Sequence, residues 1–566
     1  MPNKADFNHF AYNPVDINIG RSLFNLDHSV KFSCNVGEVI PFDCIECLPG
    51  DSFSVDTSKV VRLQPLVAPI YDEVIQDVYY FFVPHRLVWN HWINFMGEND
   101  QSAWAPDVEY SVPTLSPPQG GWSVGTIADY LGIPPLVSGA GVNALPFRSY
   151  ALICDQWFRS EAVMNPVHVY VDDENRIGSN GSDQVTDIEL GGKPFIACKF
   201  FDYFTSALPS PQRGAPANVF PSDVAAPVVP FNEALQDQYG ISHPYRDGQT
   251  TPPSKYTFGI PSYNGSSYLW DNDTRSGLLG INPSTGLSLD TTSTSNTGTF
   301  FNNLFAELPA STFNINDLRQ AFAVQRYLER SARFGGRYQE FIFGFFGVTS
   351  PDARLQRCEY LGGSRISLNI NQVTQTSATD SEPTPIGNVA GMSVTADSNS
   401  DFTYSCTEHG FIIGCSVLRY HHSYQNGINR MWSRRSFFDY YLPTFAFLGE
   451  QNILSRELFY NDTPPEEDST FGYQERWAEY RYLPNRVSGE LRSVATNSLD
   501  VWHLGDYYTE APTLSPEWLR EDKTMLDRCL AVTSKVANQC ICDFFIKCEA
   551  SRPMPLYSIP GLIDHN

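Results

Sequence analysis

The stretch Cys540 to Glu549, CICDFFIKCE, decides how the rest of this sequence is read. Cys540, Cys542, Phe544, Ile546 and Cys548 take alternate positions, with Ile541, Asp543, Phe545, Lys547 and Glu549 between them. Successive side chains leave a strand on opposite sides, so a period of two marks an extended segment with one buried face. The same period recurs near the other end, where Val30, Phe32, Cys34 and Val36 alternate with Ser29, Lys31, Ser33 and Asn35. Gly37 then permits a bend. Ile40, Phe42 and Cys44, the turn Leu48-Pro49-Gly50-Asp51, and Phe53 and Val55 follow, a pattern that predicts an antiparallel meander. Val78 to Val83 (VYYFFV) and Phe411 to Leu418 (FIIGCSVL) are nearly continuous β-forming runs, as expected of strands covered on both faces. Strands at both ends of the chain must pair across several hundred residues. That predicts a mainly β fold, a Greek-key or jelly-roll barrel and not a βαβ array.

Composition agrees. Forty Pro and 39 Gly call for many turns, while 14 % aromatic against 18 % charged residues gives material for a large core and excludes global disorder. With 38 basic and 63 acidic side chains the net charge is −25, which excludes a basic nucleic-acid-coating domain. Twelve cysteines in 566 residues are too sparse for a disulfide scaffold, and most are expected to be small core thiols. Met1 to Asp6 has no apolar run behind Lys4, and no run of about eighteen apolar residues occurs, so neither a secretion signal nor a membrane span is expected.

One helix is predicted, with Asn314 as cap, Asp317 completing a capping box and Gly335-Gly336 as the stop. Leu318, Ala321, Val324, Leu328 and Ala332 share its apolar face; Arg319, Arg326, Arg330 and Arg333 form a stripe opposite. Residues 209–312 are rich in Pro, Gly, Ser, Thr and Asn, and a connection of that length is expected to be a functional surface excursion. Residues 371–400 look like a shorter polar loop insertion, and residues 461–470 carry the acidic tip Glu466-Glu467-Asp468. Neither resembles a fold element.

Motifs that carry chemistry are absent or weak. The zinc-protease helix, the nucleophile elbow and the phosphate-binding loop are missing. Gly139 to Ala144 matches a dinucleotide fingerprint, but Pro134-Pro135 leaves too little strand before it, so it reads as a loop. Cys44 and Cys47 form a lone CxxC, and an odd offset on a strand puts them on opposite faces. His421-His422 also point apart on a strand; a shared metal is not expected, and both read as surface or interface residues. The second basic cluster, Arg430, Trp432, Arg434 and Arg435, sets an aromatic among cations. Such groups hold phosphates and stack on single-stranded bases; the plain alternative is ion pairing to acidic neighbours.

Several long segments together resemble a known family. Val78 to Asn99 (VYYFFVPHRLVWNHWINFMGEN), Cys198 to Pro209 (CKFFDYFTSALP), Phe346 to Gly363 (FGVTSPDARLQRCEYLGG), Gly427 to Arg435 (GINRMWSRR), Phe471 to Gly489 (FGYQERWAEYRYLPNRVSG), Val501 to Tyr508 (VWHLGDYY) and Arg552 to His565 (RPMPLYSIPGLIDH) are similar, in order, to the major capsid proteins of the Microviridae, gokushovirus branch. The likeness fails mainly between residues 211 and 312.

The resemblance implies an eight-stranded antiparallel jelly roll, a viral capsid β-barrel, with long inter-strand insertions and a few helices. It implies one such domain over residues 1–566, assembled in a bacterial cytoplasm as a homo-oligomer of sixty copies, through pentamers, into a T = 1 icosahedral virion shell around circular single-stranded DNA. It further implies no enzymatic activity and no cofactor, an interface divalent cation being left open. Partners would be the packaged DNA, a small basic internal DNA-binding protein, an internal scaffolding protein, a DNA pilot protein and a host surface receptor. Residues 209–312 would build threefold protrusions, with Gly277, Ser284, Thr285 and Thr299 as host-contact candidates. A shell of about −1500 charges must keep its acidic groups outward, which makes Arg430, Trp432, Arg434, Arg435 and the stripe Arg319, Arg326, Arg330 and Arg333 the DNA-contact candidates. Two other classes share this composition, a secreted carbohydrate-binding or carbohydrate-cleaving β-sandwich and a phage adhesin. The first should carry a signal peptide and the second sequence repeats.

Overall fold

Alternation at the two ends of the chain becomes pairing between them. The computed structural model describes residues 20–98, 108–215, 228–230, 279–282, 286–289, 304–306, 315–334, 337–377, 386–460 and 469–557. The principal strands are β1 (Ser22–Asn25), β2 (His28–Cys34), β3 (Ile40–Cys47), β4 (Ser52–Leu63), β5 (Val74–Pro84), β6 (Glu359–Ser367), β7 (Thr395–Ser405), β8 (Gly410–Tyr420) and β9 (Cys540–Arg552). One sheet has β1 and β2 in succession along one edge of β9, then β4, then β7; the other has the order β6-β5-β8-β3. All these pairings are antiparallel. Cys34 lies opposite Cys540 and Phe32 opposite Cys542, so residues some five hundred positions apart share one ladder.

Strand β9 buries Cys540, Cys542, Phe544, Ile546, Cys548 and Ala550 and turns the residues between them outward, as its period predicts. Its inner face meets the other sheet. Phe42 of β3 packs edge-on against Phe544 with centroids 5.0 Å apart and against Tyr80 of β5 at 5.7 Å. Each such ring, fully buried, stabilises the fold by roughly 2–3 kcal/mol through area alone.

Strands β5 and β8 are buried on both faces. Val78, Tyr80, Phe82, Ile412 and Leu418 face the core between the sheets, whereas Phe81, Val83, Phe411, Ile413 and Val417 face a second core. That second core is closed by the chain after β5, through Trp89, Trp122 and helix α1 (Leu145–Ile153). This layering is why both strands read as unbroken apolar runs.

The predicted meander is corrected. Strands β3 and β4 are consecutive but lie in different sheets, and the turn at Leu48 to Asp51 carries the chain across. Periodicity reports which side of a strand is buried, not its neighbour. The pairing of β3 with β8 skips Phe42, a bulge between Pro41 and Asp43, and alternation slips by one residue there. Cys47 therefore faces the first core and Cys44 packs against the second, on opposite sides as expected. The bend at Gly37 has φ +82°, and a Cβ there would stand 2.5 Å from Cβ of Glu521. Only glycine fits.

Residues 371–400 are also not a plain loop. Ile370–Thr374 pairs with Val389–Ser393, and β7 begins at Thr395 as an outer strand of the first sheet. Its Ser, Asp and Asn side chains hid it, since an edge strand is commonly polar.

Helix α2 (Ile315–Phe334) forms where predicted and is followed by α3 (Tyr338–Phe346); Asn314 and Gly335-Gly336 lie outside the described residues. The chain divides into two compact units, Met1–Gly214 with Leu328–Asn566, and Ala215–Tyr327. The second contains two short antiparallel pairs, Val228–Pro230 with Leu304–Ala306 and Leu279–Asn282 with Gly286–Leu289. Gly277, Ser284, Thr285, Thr299 and residues 461–468 lie outside the described residues.

Candidate functional site

The cluster Arg430 to Arg435 opens with a single 3-10 turn, Arg430–Ser433, capped by Asn429, whose Oδ1 accepts the Met431 N–H at 2.9 Å. Arg430 Nη1 lies 3.1 Å from Glu457 Oε1, and Tyr203 donates to the other oxygen of that carboxylate at 3.0 Å. Burial pushes the Glu457 carboxyl up, and Arg430 opposes that shift. Arg434 Nη2 reaches Glu479 at 3.2 Å, while its guanidinium sits 4.2 Å over the ring of Tyr480 and 5.6 Å over that of Tyr440. Both Arg434 and Glu479 are largely buried. These two arginines fasten the segment down. Arg435 differs: its backbone N–H donates to Asp439 at 2.8 Å, but its exposed guanidinium has no partner among the described residues. Trp432 is 72 % exposed beside it.

The four arginines of α2 are all exposed, opposite the part-buried Leu318, Ala321, Leu328 and Ala332; Val324, expected on that face, is exposed too. Arg319 and Arg326 have no charged partner among the described residues. Arg330 sits 5.7 Å over the ring of Phe345, and Arg333 pairs with Glu450. The stripe is therefore part structural and part free.

Sequence reasoning missed the apolar run that follows the basic cluster, Phe437 to Leu448 (FFDYYLPTFAFL). Phe437, Phe438, Tyr440, Tyr441, Phe447 and Leu448 are all exposed, Phe447 to 98 %. The signal was present as an aromatic run with neither strand nor helix period. Its base is anchored by buried Trp477, whose Nε1 donates to the Phe445 carbonyl at 3.1 Å and whose ring meets Tyr441 edge-on at 5.7 Å. Of other closely spaced aromatics, Trp89 and Trp477 are core, while Phe95, Tyr480 and Tyr482 reach the surface. A contiguous apolar surface of this kind marks an interaction site.

Comparison with known proteins gives these surfaces their context. Residues 14–562 match the family described as "Capsid protein (F protein)". The capsid protein VP1 of Spiroplasma virus 4 is 39 % identical over 569 residues, spanning 98 % of this chain and 97 % of the relative. Those of Chlamydia phage 1 and Bdellovibrio phage phiMH2K are each 36 % identical, spanning 98 % of this chain and 98 % and 97 % of the relatives. The chain belongs to the phage F-type capsid protein family. It is a major capsid protein and a component of the virion, as the Microviridae resemblance of its segments implies. Among the described residues no helix is long and apolar enough to cross a membrane.

The capsid protein also contains a buried ionic network, which corrects the reading of His422 as a surface residue. His421 does face outward, stacked on Phe200 at 4.8 Å. The chain leaves β8 at Tyr420 and turns His422 inward, where Nδ1 lies 3.0 Å from Asp506 and Nε2 3.1 Å from Glu521. Lys199 Nζ reaches the same Asp506 carboxylate at 3.2 Å, and Tyr508 donates to it at 2.8 Å. Burial alone would lower the His422 pKa; the two carboxylates reverse that and push it up to about 9. Four separate stretches of chain meet here, which gives the cluster a structural role.

Proposed function

We propose that this capsid protein is the repeating unit of a T = 1 icosahedral shell of about sixty copies, enclosing circular single-stranded DNA. One observation carries the reading beyond family membership. The exposed run Phe437 to Leu448 offers an apolar surface that a free subunit in water should not keep, and burial against neighbouring copies removes it from solvent. The subunit core is read as a jelly roll. Leaving β1 aside, the orders β2-β9-β4-β7 and β6-β5-β8-β3 support this, because consecutive strands from β2 to β9 cross between the two sheets at every step except β5 to β6, the crossing pattern of paired Greek keys.

Trp432 and Arg435 are the proposed DNA contacts of the second cluster, one a stacking platform and the other a free cation. Arg319 and Arg326 are the corresponding candidates on α2. Residues 209–312 are proposed to reach the host surface, and a small basic internal protein to neutralise DNA that a subunit of charge −25 cannot. The role is structural, without catalysis. Electron microscopy of the expressed chain, alone and with its co-expressed scaffolding partner, tests the central claim: closed particles of uniform diameter are expected, and a lone monomer under every condition overturns it.

A further inference from the structure

Where β2 ends and β9 begins, three thiols converge. Cys34 and Cys540 are directly opposed across the ladder, and Cys542, two residues along β9, shares the face of Cys540. Their Sγ atoms all lie within 4.8 Å of one another, and those of Cys540 and Cys542 are 3.7 Å apart. All three side chains are at most 2 % exposed. The opposing sheet supplies Gln76 of β5, fully buried, whose Nε2 is 3.5 Å from Cys542 Sγ and 2.9 Å from Ser416 Oγ. Its Oε1 has no hydrogen-bond partner. A buried amide oxygen left without a partner costs about 1–3 kcal/mol, and it belongs to the amide whose nitrogen faces the Cys542 thiol.

We propose that Cys34, Cys540 and Cys542, with the Gln76 amide oxygen as fourth ligand, form a site for a soft d10 divalent cation, Zn2+ being the representative. A tetrahedral ion with metal–sulfur bonds of about 2.3 Å sets its sulfurs roughly 3.8 Å apart, the spacing Cys540 and Cys542 already have. Rotating the Gln76 amide by a half-turn exchanges its N and O and brings Oε1 to where Nε2 now faces Cys542. Binding converts three S–H groups into three metal–sulfur bonds and releases three protons to solvent; no electron is transferred. Since Gln76 belongs to one sheet and the cysteines to the other, the ion clips the two together where the chain termini pair. Lack of exposure means that it enters during folding and does not exchange afterwards.

The test uses the full-length wild-type chain. Produced with zinc in the medium and freed of loose metal by chelator, it should retain about one equivalent, and zinc-edge X-ray absorption should count three sulfur neighbours at about 2.3 Å. Refolded with Co2+, it should show the intense sulfur-to-cobalt charge-transfer band of a tetrahedral thiolate site. Cys542→Ser should lose that band, while Gln76→Ala should keep it with shifted d–d bands. Two or fewer sulfur neighbours, less than about a tenth of an equivalent of metal, or a Cys34–Cys540 disulfide in the purified protein overturns the proposal. The first two readouts need no variant, so a Cys542→Ser chain that fails to fold leaves the answer intact. None depends on shell assembly, so their failure is distinct from failure of the capsid reading.

Discussion

Nδ1 of His422 lies 3.0 Å from Oδ1 of Asp506, with both side chains almost wholly removed from solvent. Glu521 closes the other side of the imidazole and Lys199 the other side of the Asp506 carboxylate, so two cations and two anions balance within one buried cluster. Such a cluster gains little over an apolar core of equal volume, but losing one member leaves an uncompensated charge, at about 3–5 kcal/mol.

Stability should therefore fall on the alkaline side. The folded His422 pKa, about 9, lies above its unfolded value near 6.5, so its contribution is complete below about pH 6.5 and is lost as pH rises through 9. For Asp506, burial alone would raise the carboxyl, but His422 and Lys199 hold it well below the usual carboxylate range. Its contribution is present above roughly pH 4 and lost only in stronger acid. Thermal melts of the unassembled subunit from pH 5 to 10 should lose on the order of 3 kcal/mol across the upper limb. His422→Gln should start lower and flatten that limb; parallel curves would remove His422 as the cause.

The two adjacent arginines of the basic cluster should behave differently. Arg434→Glu sets a second carboxylate against buried Glu479 and should cost about 3–5 kcal/mol, seen as reduced soluble yield and a lower Tm. Arg435→Glu touches no partner and should leave Tm within about 0.5 kcal/mol. Its effect should appear in the absorbance ratio of purified particles at 260 and 280 nm, as reduced DNA content with empty shells still forming. Particles carrying the normal DNA complement would sink the DNA role of Arg435.

Much of this was legible in the sequence, and the exceptions have physical causes. The buried face of β9, the double burial of β5 and β8 and the amphipathic α2 all follow from side-chain period, a local property. Sheet membership of β3 and β4 is non-local and leaves no mark on alternation. The buried place of His422 leaves no local mark, because Asp506 and Glu521, which pair with it, are 84 and 99 residues away in sequence. Ion pairing is one of the two readings the sequence offers for Arg430 and Arg434, but not the partners, since Glu457 and Glu479 are 27 and 45 residues away in sequence. The Cys34, Cys540 and Cys542 cluster needed the pairing of chain ends before it existed at all.

Assembly should depend on the aromatic run more than on any charge. Phe447→Asp and Phe437→Asp alter side chains that are 98 % and 70 % exposed, so the isolated subunit should melt within about 0.5 kcal/mol of wild type. In a contact between copies the same carboxylates would be desolvated without a partner, at a cost of several kcal/mol repeated at every copy. Sedimentation should show subunits or small oligomers where the wild type gives closed particles. Particle yields equal to wild type for both variants would place the contacts elsewhere.

The long insertion should be separable from the shell. Residues 277–299 belong to the unit Ala215–Tyr327, and none of the nine principal strands draws a residue from it. Its Ser, Thr and Asn content is that expected of a segment that can vary without disturbing a core. Replacing residues 277–299 by a short Gly/Ser linker should add little closure entropy, about 0.6 kcal/mol for each twofold change in loop length. Closed particles with normal DNA should form. Adsorption to host cells, counted as particles removed from the medium per unit time, should fall at least tenfold. Loss of assembly would instead tie this segment to the subunit contacts, and unchanged adsorption would remove its role at the host surface.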